Sequence, residues 1–311
     1  MDTVVEFMAE PLIYYASERP TKAGQALADR LEKLGKPLIT PYELFLEFRS
    51  LYASNEKLYL KGKTAKINGY NRIRKNLQRS SVIIEDRDYH RKAYRIIKNS
   101  DKPADEICCI VDPYCYIAYL SAMQRYGLTN RSPKSLLLCR PNRGKIKKLI
   151  QDRMEKDYRG EIPKNNDEFV PLSAITHPTK VRGRSVSVID TKNWGEFNKI
   201  KNEYSRIATI EQTFLDMLIE PKLCGGMAHV IDIWKDRASD YLEGIINITN
   251  KCETKIVRIR AGYIIDEIMN ISNPTVESWT KLAQRGGSMI LDPNKPFSAN
   301  YSEKWMLSIN D

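Results

Sequence analysis

The sequence predicts an α+β protein: a winged helix-turn-helix domain over residues 1–100, then a larger mixed α/β domain over residues 104–311 that is mostly helical toward its C-terminus. Three observations lead there. Amphipathic segments in the first third are followed by two β-rich runs around a charged tip. The stretch from Lys57 to Arg79 holds eight basic residues and no acid. A polar, proline-containing segment, KNSDKPADE, then separates this region from the rest.

The elements follow in order. AGQALADRLEKLG places Ala23, Ala26, Leu27, Leu31 and Leu34 on one face at helical spacing, with Gly35 as the stop. TPYELFLEFRSLY opens with Thr40 as N-cap, Pro41 at the first helical position and Glu43 three residues after the Thr, a capping box by pattern. In the basic stretch Tyr70, Ile73 and Leu77 line one helix face, which sends Arg72, Arg74, Lys75 and Arg79 outward; Gly69 either starts this helix or breaks it. Val82–Ile84 and Tyr94–Ile97 flank a charged tip and read as a hairpin wing.

In the second part Ile107–Val111 reads as a strand, PYCYIAYLSAMQRYG as a helix ending at Gly127, SLLLC as a short buried strand and RGKIKKLIQDRMEKDY as an exposed basic helix. Residues 167–190 alternate and carry Pro and Gly, which suggests strands. From Thr209 the chain reads as nearly all helix, with SMILDP and EKWMLSI as closing strands.

Composition narrows the function. A hydrophobic content of 42% supports a packed core and argues against wholesale disorder. No run of ~18 uncharged apolar residues is present, so no membrane span is expected. The first fifteen residues carry three acids and no basic segment, which argues against a signal peptide. Six cysteines (108, 109, 115, 139, 224 and 252) form no CxxC pair and the three histidines stand alone. The expectation is a reduced, cytoplasmic protein with buried thiols, no zinc site and no cofactor. The formal charge is +11, and residues 1–103 carry 20 Lys and Arg against 13 Asp and Glu, a net of +7.

A basic run by itself is as readily a solvated face. Its place in a helix–helix–helix–hairpin order favours DNA, because the third helix of that plan enters the major groove. The expected contacts are Lys61, Lys63 and Lys66 leading into the helix, Arg72, Arg74, Lys75 and Arg79 on it, and Arg91 at the wing.

The stretch IEQTFLDMLIEPKLCGGMAHVIDIW, from Ile210 to Trp234, reads as a helical hairpin. Thr209 and Gln212 fit a capping box, Pro221 ends the first helix, Gly225 and Gly226 turn the chain, and Met227, Val230, Ile231 and Trp234 form an apolar stripe. The glycine pair lacks the lysine and spacing of a phosphate loop. Residue types alone assign His229 to a surface or cap position and Asp216 to a hydrogen-bonded structural role, and give no catalytic chemistry.

SRIATIEQTFLDMLIEPKLCGG resembles the S-x-E-R-x-L-L-D…P…GG signature of the AbiEi family, the abortive-infection antitoxins of type IV toxin–antitoxin systems, and YIAYLSAMQRYGLTNRSP resembles that family's S-A-L…GLT segment. Together they span residues 105–235. The matching residues are Ser121, Gly127, Glu211, Leu215, Asp216, Gly225 and Gly226; Gln212 stands where the family usually has Arg, and Tyr126 where it usually has His, as in a distant member. The resemblance implies a DNA-binding transcription regulator that represses its own operon at promoter inverted repeats. It also implies a C-terminal domain that counters a nucleotidyltransferase-type toxin encoded beside it, by binding the toxin, by competing for its substrate or by modifying it; the expectation from the residues is that the chain is not an enzyme. Two rivals stand beside it: a plain transcription regulator whose second domain senses a ligand or oligomerises, and an enzyme acting on the toxin or on nucleic acid with Asp216, Glu211 and His229 in its site.

Overall fold

The computed structural model describes residues 19–54, 57–160, 162–163, 165–284 and 289–311. The fold is mixed α and β, in two compact units. The signal-peptide reading of the first fifteen residues lies outside the described residues. Among the described residues no helix is long and apolar enough to cross a membrane.

The first unit takes residues up to Asp101 together with Met154–Leu172. Its elements run α1 (Lys22–Lys33), β1 (Leu38–Ile39), α2 (Pro41–Ser50), α3 (Ile67–Arg79), β2 (Ile83–Glu85) and β3 (Tyr94–Ile96). Local chemistry sets the helix starts. Thr21 accepts from the Gly24 N–H, and in the capping box at α2 the Glu43 N–H donates to Thr40 Oγ1 at 3.2 Å while the Thr40 N–H donates to Glu43 Oε2 at 3.3 Å. Gly35 takes φ +68°, so α1 ends where the glycine permits a left-handed turn. The strands pair antiparallel in the order β1-β3-β2, with Ile39 opposite Tyr94 and Ile83 opposite Ile96.

Leu27 and Leu31 from α1, Phe45 and Phe48 from α2, and Tyr70, Ile73 and Leu77 from α3 close the core. Gly69 neither starts nor breaks α3. It sits in the first turn, where a Cβ would come within 3.2 Å of the Phe48 ring, so its missing side chain lets the two helices approach. The returning segment is bonded into the same unit: Tyr42 Oη donates to Asp157 Oδ2 at 2.8 Å, Ile67 N–H donates to the Asp167 carbonyl at 2.7 Å, and the Arg49 guanidinium lies 4.6 Å from the Tyr158 ring centre.

The second unit comprises Lys102–Arg153 and Ser173–Asp311. It begins with α4 (Ala104–Val111), β4 (Tyr116–Ile117), α5 (Tyr119–Arg125), β5 (Leu136–Pro141) and α6 (Arg143–Asp157), whose last residues from Met154 belong to the first unit. β6 (Lys180–Val181), β7 (Arg184–Thr191), β8 (Phe197–Lys199) and β9 (Arg206–Ala208) follow. Then come α7 (Ile210–Ile219), α8 (Met227–Arg237), α9 (Leu242–Lys251), α10 (Lys255–Tyr263), α11 (Pro274–Ser278), β10 (Tyr301–Ser302) and β11 (Leu307–Ser308).

Six strands form one mixed sheet in the order β6-β7-β5-β4-β9-β8; β5 pairs parallel with β7, and β4 parallel with β9. Trp234, Trp279 and Trp305 are fully buried among α7–α10, and they anchor the main apolar cluster.

Four expectations are corrected here. The helix read from PYCYIAYLSAMQRYG begins only at Tyr119, because Tyr116 and Ile117 pair with Cys139 and Leu138 of β5 as strand β4. Ile107–Val111 is the body of α4, not a strand: Pro103 is its N-cap and Asp105 and Glu106 sit in its first turn, where carboxylates suit the helix dipole. Residues 167–179 contain no strand, so the ladder begins only at Lys180. The closing strands are Tyr301–Ser302 and Leu307–Ser308; from SMILDP only Ile290 contributes, as a bridge to Ser308, and Ser288 lies outside the described residues.

Candidate nucleic-acid interface

α3 carries the basic stretch as a helix of 13 residues with no acid in it. Tyr70, Ile73 and Leu77 are buried, and the opposite stripe of Asn68, Arg72, Lys75 and Arg79 is exposed. Their spacing of three and four residues puts those four side chains on one side of the helix.

Arg74 does not join them. It is half-buried, its Nη1 donates to Tyr94 Oη at 2.8 Å, its guanidinium lies 5.8 Å from the Tyr70 ring centre, and its Nε is buried with no partner. The outward placement expected for Arg74 is therefore corrected. One residue after Ile73 and three before Leu77 it stands at the flank of the buried face, and β3 supplies the phenol that holds it. Burial also pushes the Tyr70 phenol well above the ordinary tyrosine range.

Lys61 and Lys63 are exposed in the segment that precedes α3. Lys66, its N-cap residue, is exposed but faces Asp167 at 3.5 Å. Arg91 is exposed at the turn of the hairpin, in the left-handed region at φ +59°, and shares a recess with Glu85 and Arg74. So the structure brings Arg72, Lys75 and Arg79 together with Asn68, which sequence reasoning left out because an uncharged side chain gives no signal in a charge count.

In the second unit the two resembling segments meet. His229 Nε2 and Thr129 Oγ1 lie 3.0 Å apart, the Arg131 N–H donates to Thr129 Oγ1, and Arg131 Nη1 donates to the Gly225 carbonyl at 3.0 Å. Partial burial and the Arg131 charge lower the His229 pKa. Gly225 and Gly226 both take positive φ, +97° and +93°. Gly127, at φ +69°, ends α5, and Ser121 Oγ accepts from the Leu137 N–H at 2.9 Å, tying α5 to β5.

Glu211 is half-buried in the first turn of α7 and Leu215 is in the core. Thr209 caps α7 as expected, but Gln212 does not complete a capping box: its Nε2 donates to Asp216 Oδ1 at 2.6 Å, while the Thr209 N–H goes to the Glu196 carbonyl. Asp216 is 3% exposed, and its Oδ2 has no partner. Burial without a cation pushes its carboxyl up to about 7. Among the described residues no hydrogen bond or ion pair joins Asp216, Glu211 and His229.

One set of metal-ligand types converges, which the spacing of the sequence did not reveal. Single ligand atoms of Asp112, Cys115 and His177 lie within 4.8 Å of one another. Their existing partners oppose a cation there. Asp112 Oδ2 faces His177 Nε2 at 3.2 Å and Arg140 Nη1 at 3.7 Å, and Cys115 Sγ points at the Cys108 and Asp112 carbonyls. The Arg206 guanidinium caps the Cys109, Asp112 and Cys115 carbonyls. Two guanidinium groups thus occupy the surroundings a divalent ion would need.

No protein-family model matches the chain, and no curated protein matches it. Among solved structures, the crystal structure of the RV2827C protein from Mycobacterium tuberculosis is similar over 94% of this chain and 92% of that chain, at 11% sequence identity and a TM-score of 0.43.

Proposed function

We propose that the first unit is a winged helix-turn-helix that binds duplex DNA through α3, and that the protein is a transcriptional repressor and antitoxin of the AbiEi kind. The observation that carries the DNA reading is the exposed stripe of Asn68, Arg72, Lys75 and Arg79 on a helix without acids. The order α1–β1–α2–α3–β2–β3, with β1 paired to β3, supports the winged plan. An α-helix fits the major groove, Lys75 and Arg79 would neutralise phosphates, and Arg72 and Asn68 are the side-chain types that pair bidentately with guanine and adenine edges.

The antitoxin reading rests on the AbiEi resemblance, with one support from geometry: the two segments that carry it converge at Arg131–Gly225 and Tyr126–Ala208. In this reading the repressor acts on its own promoter, and the second unit counters a nucleotidyltransferase-type toxin encoded next to it.

The test is fluorescence anisotropy with the promoter duplex across a salt series. Lys75→Ala and Arg79→Ala should each flatten the dependence of log K on log salt by about 0.9. Arg72→Ala should cost ~1–3 kcal/mol on the operator and little on unrelated duplex. Lys147→Ala, exposed on α6, serves as the control. Parent-like binding by all three α3 variants, with loss only at Lys147, would move the DNA site to the second unit. Co-expression with the adjacent gene tests the antitoxin half: growth should be rescued, and a folded protein that gives no rescue counts against it.

A further inference from the structure

Beside α3, and separate from the Lys75–Arg79 end of its exposed stripe, the first unit has a cavity of about 590 Å³ whose wall includes Asn68 and Arg72 of that stripe. Its wall is of two kinds. Phe48, Tyr52 and Tyr59 bring aromatic rings to it; Lys22, Lys61, Lys63, Lys66 and Arg72 bring cations; and among the described residues no Asp or Glu lines it. Lys66 is shared with Asp167, but among the described residues no carboxylate pairs with Lys61, Lys63 or Arg72.

The segment leading to α3 is held in place to form the wall: Tyr52 Oη donates to the Lys61 carbonyl at 3.3 Å, and Phe48 and Tyr52 meet edge to face at 5.5 Å. Tyr59 is the unusual member. It is 79% exposed, in the left-handed region at φ +54°, with Lys22 Nζ 5.2 Å from its ring centre. An aromatic ring left in water beside an ammonium group, at the edge of a cavity, is a surface for a planar ligand that carries negative charge.

We propose that this cavity is a nucleotide site, in which a base stacks on Tyr59 and its phosphate is held by Lys61, Lys63 and Arg72. The two-sided lining decides the chemistry. Inorganic phosphate has no use for the aromatic wall, and a neutral apolar ligand has no use for the cations. The volume falls in the range of small-ligand sites, roughly 300–1,000 Å³. Stacking on a ring accepts any base, so the site selects a nucleotide as a class. That nucleotide is either free in solution or an unpaired residue of a nucleic acid strand whose backbone runs along Arg72.

Two probes separate those sources: fluorescently labelled adenosine triphosphate, and a short labelled oligothymidylate, each titrated into the full chain by anisotropy. Tyr59→Ala should weaken the probe that binds by about tenfold or more, and Tyr59→Phe, which keeps the ring, should stay within about twofold. The exposure of Tyr59 leaves folding undisturbed by either change, and Lys147→Ala again reports on nonspecific charge. Binding of the mononucleotide with this pattern makes the cavity an effector site. Binding of the oligonucleotide alone makes it a seat for an unpaired base. If neither probe saturates below about 1 mM, or if Tyr59→Ala binds both as the parent does, the proposal is overturned. Lys75→Ala and Arg79→Ala in the duplex assay report on the winged-helix reading separately, since neither residue lines the cavity.

Discussion

Asp216 shows what burial does to a single carboxyl. Among the described residues the carboxyl's only hydrogen bond is the one from Gln212, and its other oxygen has no partner, so the charged form is strongly disfavoured and the pKa rises to about 7. A folded-state pKa above the unfolded value of roughly 3.9 means that the native state holds the proton longer. The stabilisation is fully present below about pH 4 and is lost as pH rises through about 7. Asp216→Asn abolishes this titration. Its stability relative to the parent, from urea unfolding, should therefore improve by roughly 3 kcal/mol between pH 5 and pH 8. A constant difference across that range would show that Asp216 titrates normally. The sequence placed Asp216 in a structural role, and its missing second partner was not legible there, because that depends on what α7 is packed against. Gly226 is simpler. Its φ of +93° and ψ of 161° lie in a region that only glycine enters freely, although a Cβ would meet no atom. Gly226→Val should thus cost about 1–3 kcal/mol by backbone strain alone, seen as a lowered midpoint in thermal unfolding.

Helices with a strong local signal matched their sequence readings. The capping box at Thr40 has both of its hydrogen bonds, and Thr40→Ala should remove about 1 kcal/mol from the first unit without altering the DNA contacts proposed for α3. Chemical denaturation followed by circular dichroism measures the first effect and duplex anisotropy the second. α3 was legible in its buried face of Tyr70, Ile73 and Leu77, but Arg74 was not. At the edge of that face a long side chain turns either to water or to a neighbour, and Tyr94 arrives from a strand twenty residues later. Arg74→Ala is accordingly expected to lower the stability of the first unit, whereas Lys75→Ala leaves it unchanged. Equal unfolding midpoints for the two variants would contradict the tether. α4 was misread for a related reason: five consecutive apolar residues suit a buried strand and a buried helix alike, and both faces of α4 are covered.

At the scale of the whole molecule, the first unit includes a return of the chain at Met154–Leu172. Among the interactions that bind that return are those of Asp157 with Tyr42 and Arg49, Tyr158 under Arg49, and Asp167 with Ile67 and Lys66. A fragment ending at Asp101 lacks all of them. It should unfold at lower temperature than the same region in the full chain, with the earliest amide exchange at the start of α3, where Ile67 loses its acceptor. Hydrogen exchange read by mass spectrometry would show this, and full native protection of Ile67–Tyr70 in the fragment would refute it.

By itself the sequence determined the α+β class, the order of three helices and a hairpin in the first unit, the acid-free helix and the buried face of α3, because each depends on residues within a turn or two of one another. Periodicity, caps and charge runs are short-range properties, and they survive in any tertiary setting that buries the apolar face. Only the tertiary structure decided that Arg74 turns inward, that Asn68 joins Arg72, Lys75 and Arg79, that Thr129 meets His229, and that aromatic rings and lysines enclose a cavity beside α3. Those outcomes depend on partners far away along the chain, brought together by the burial of faces that the sequence marks as apolar without saying against what they will close.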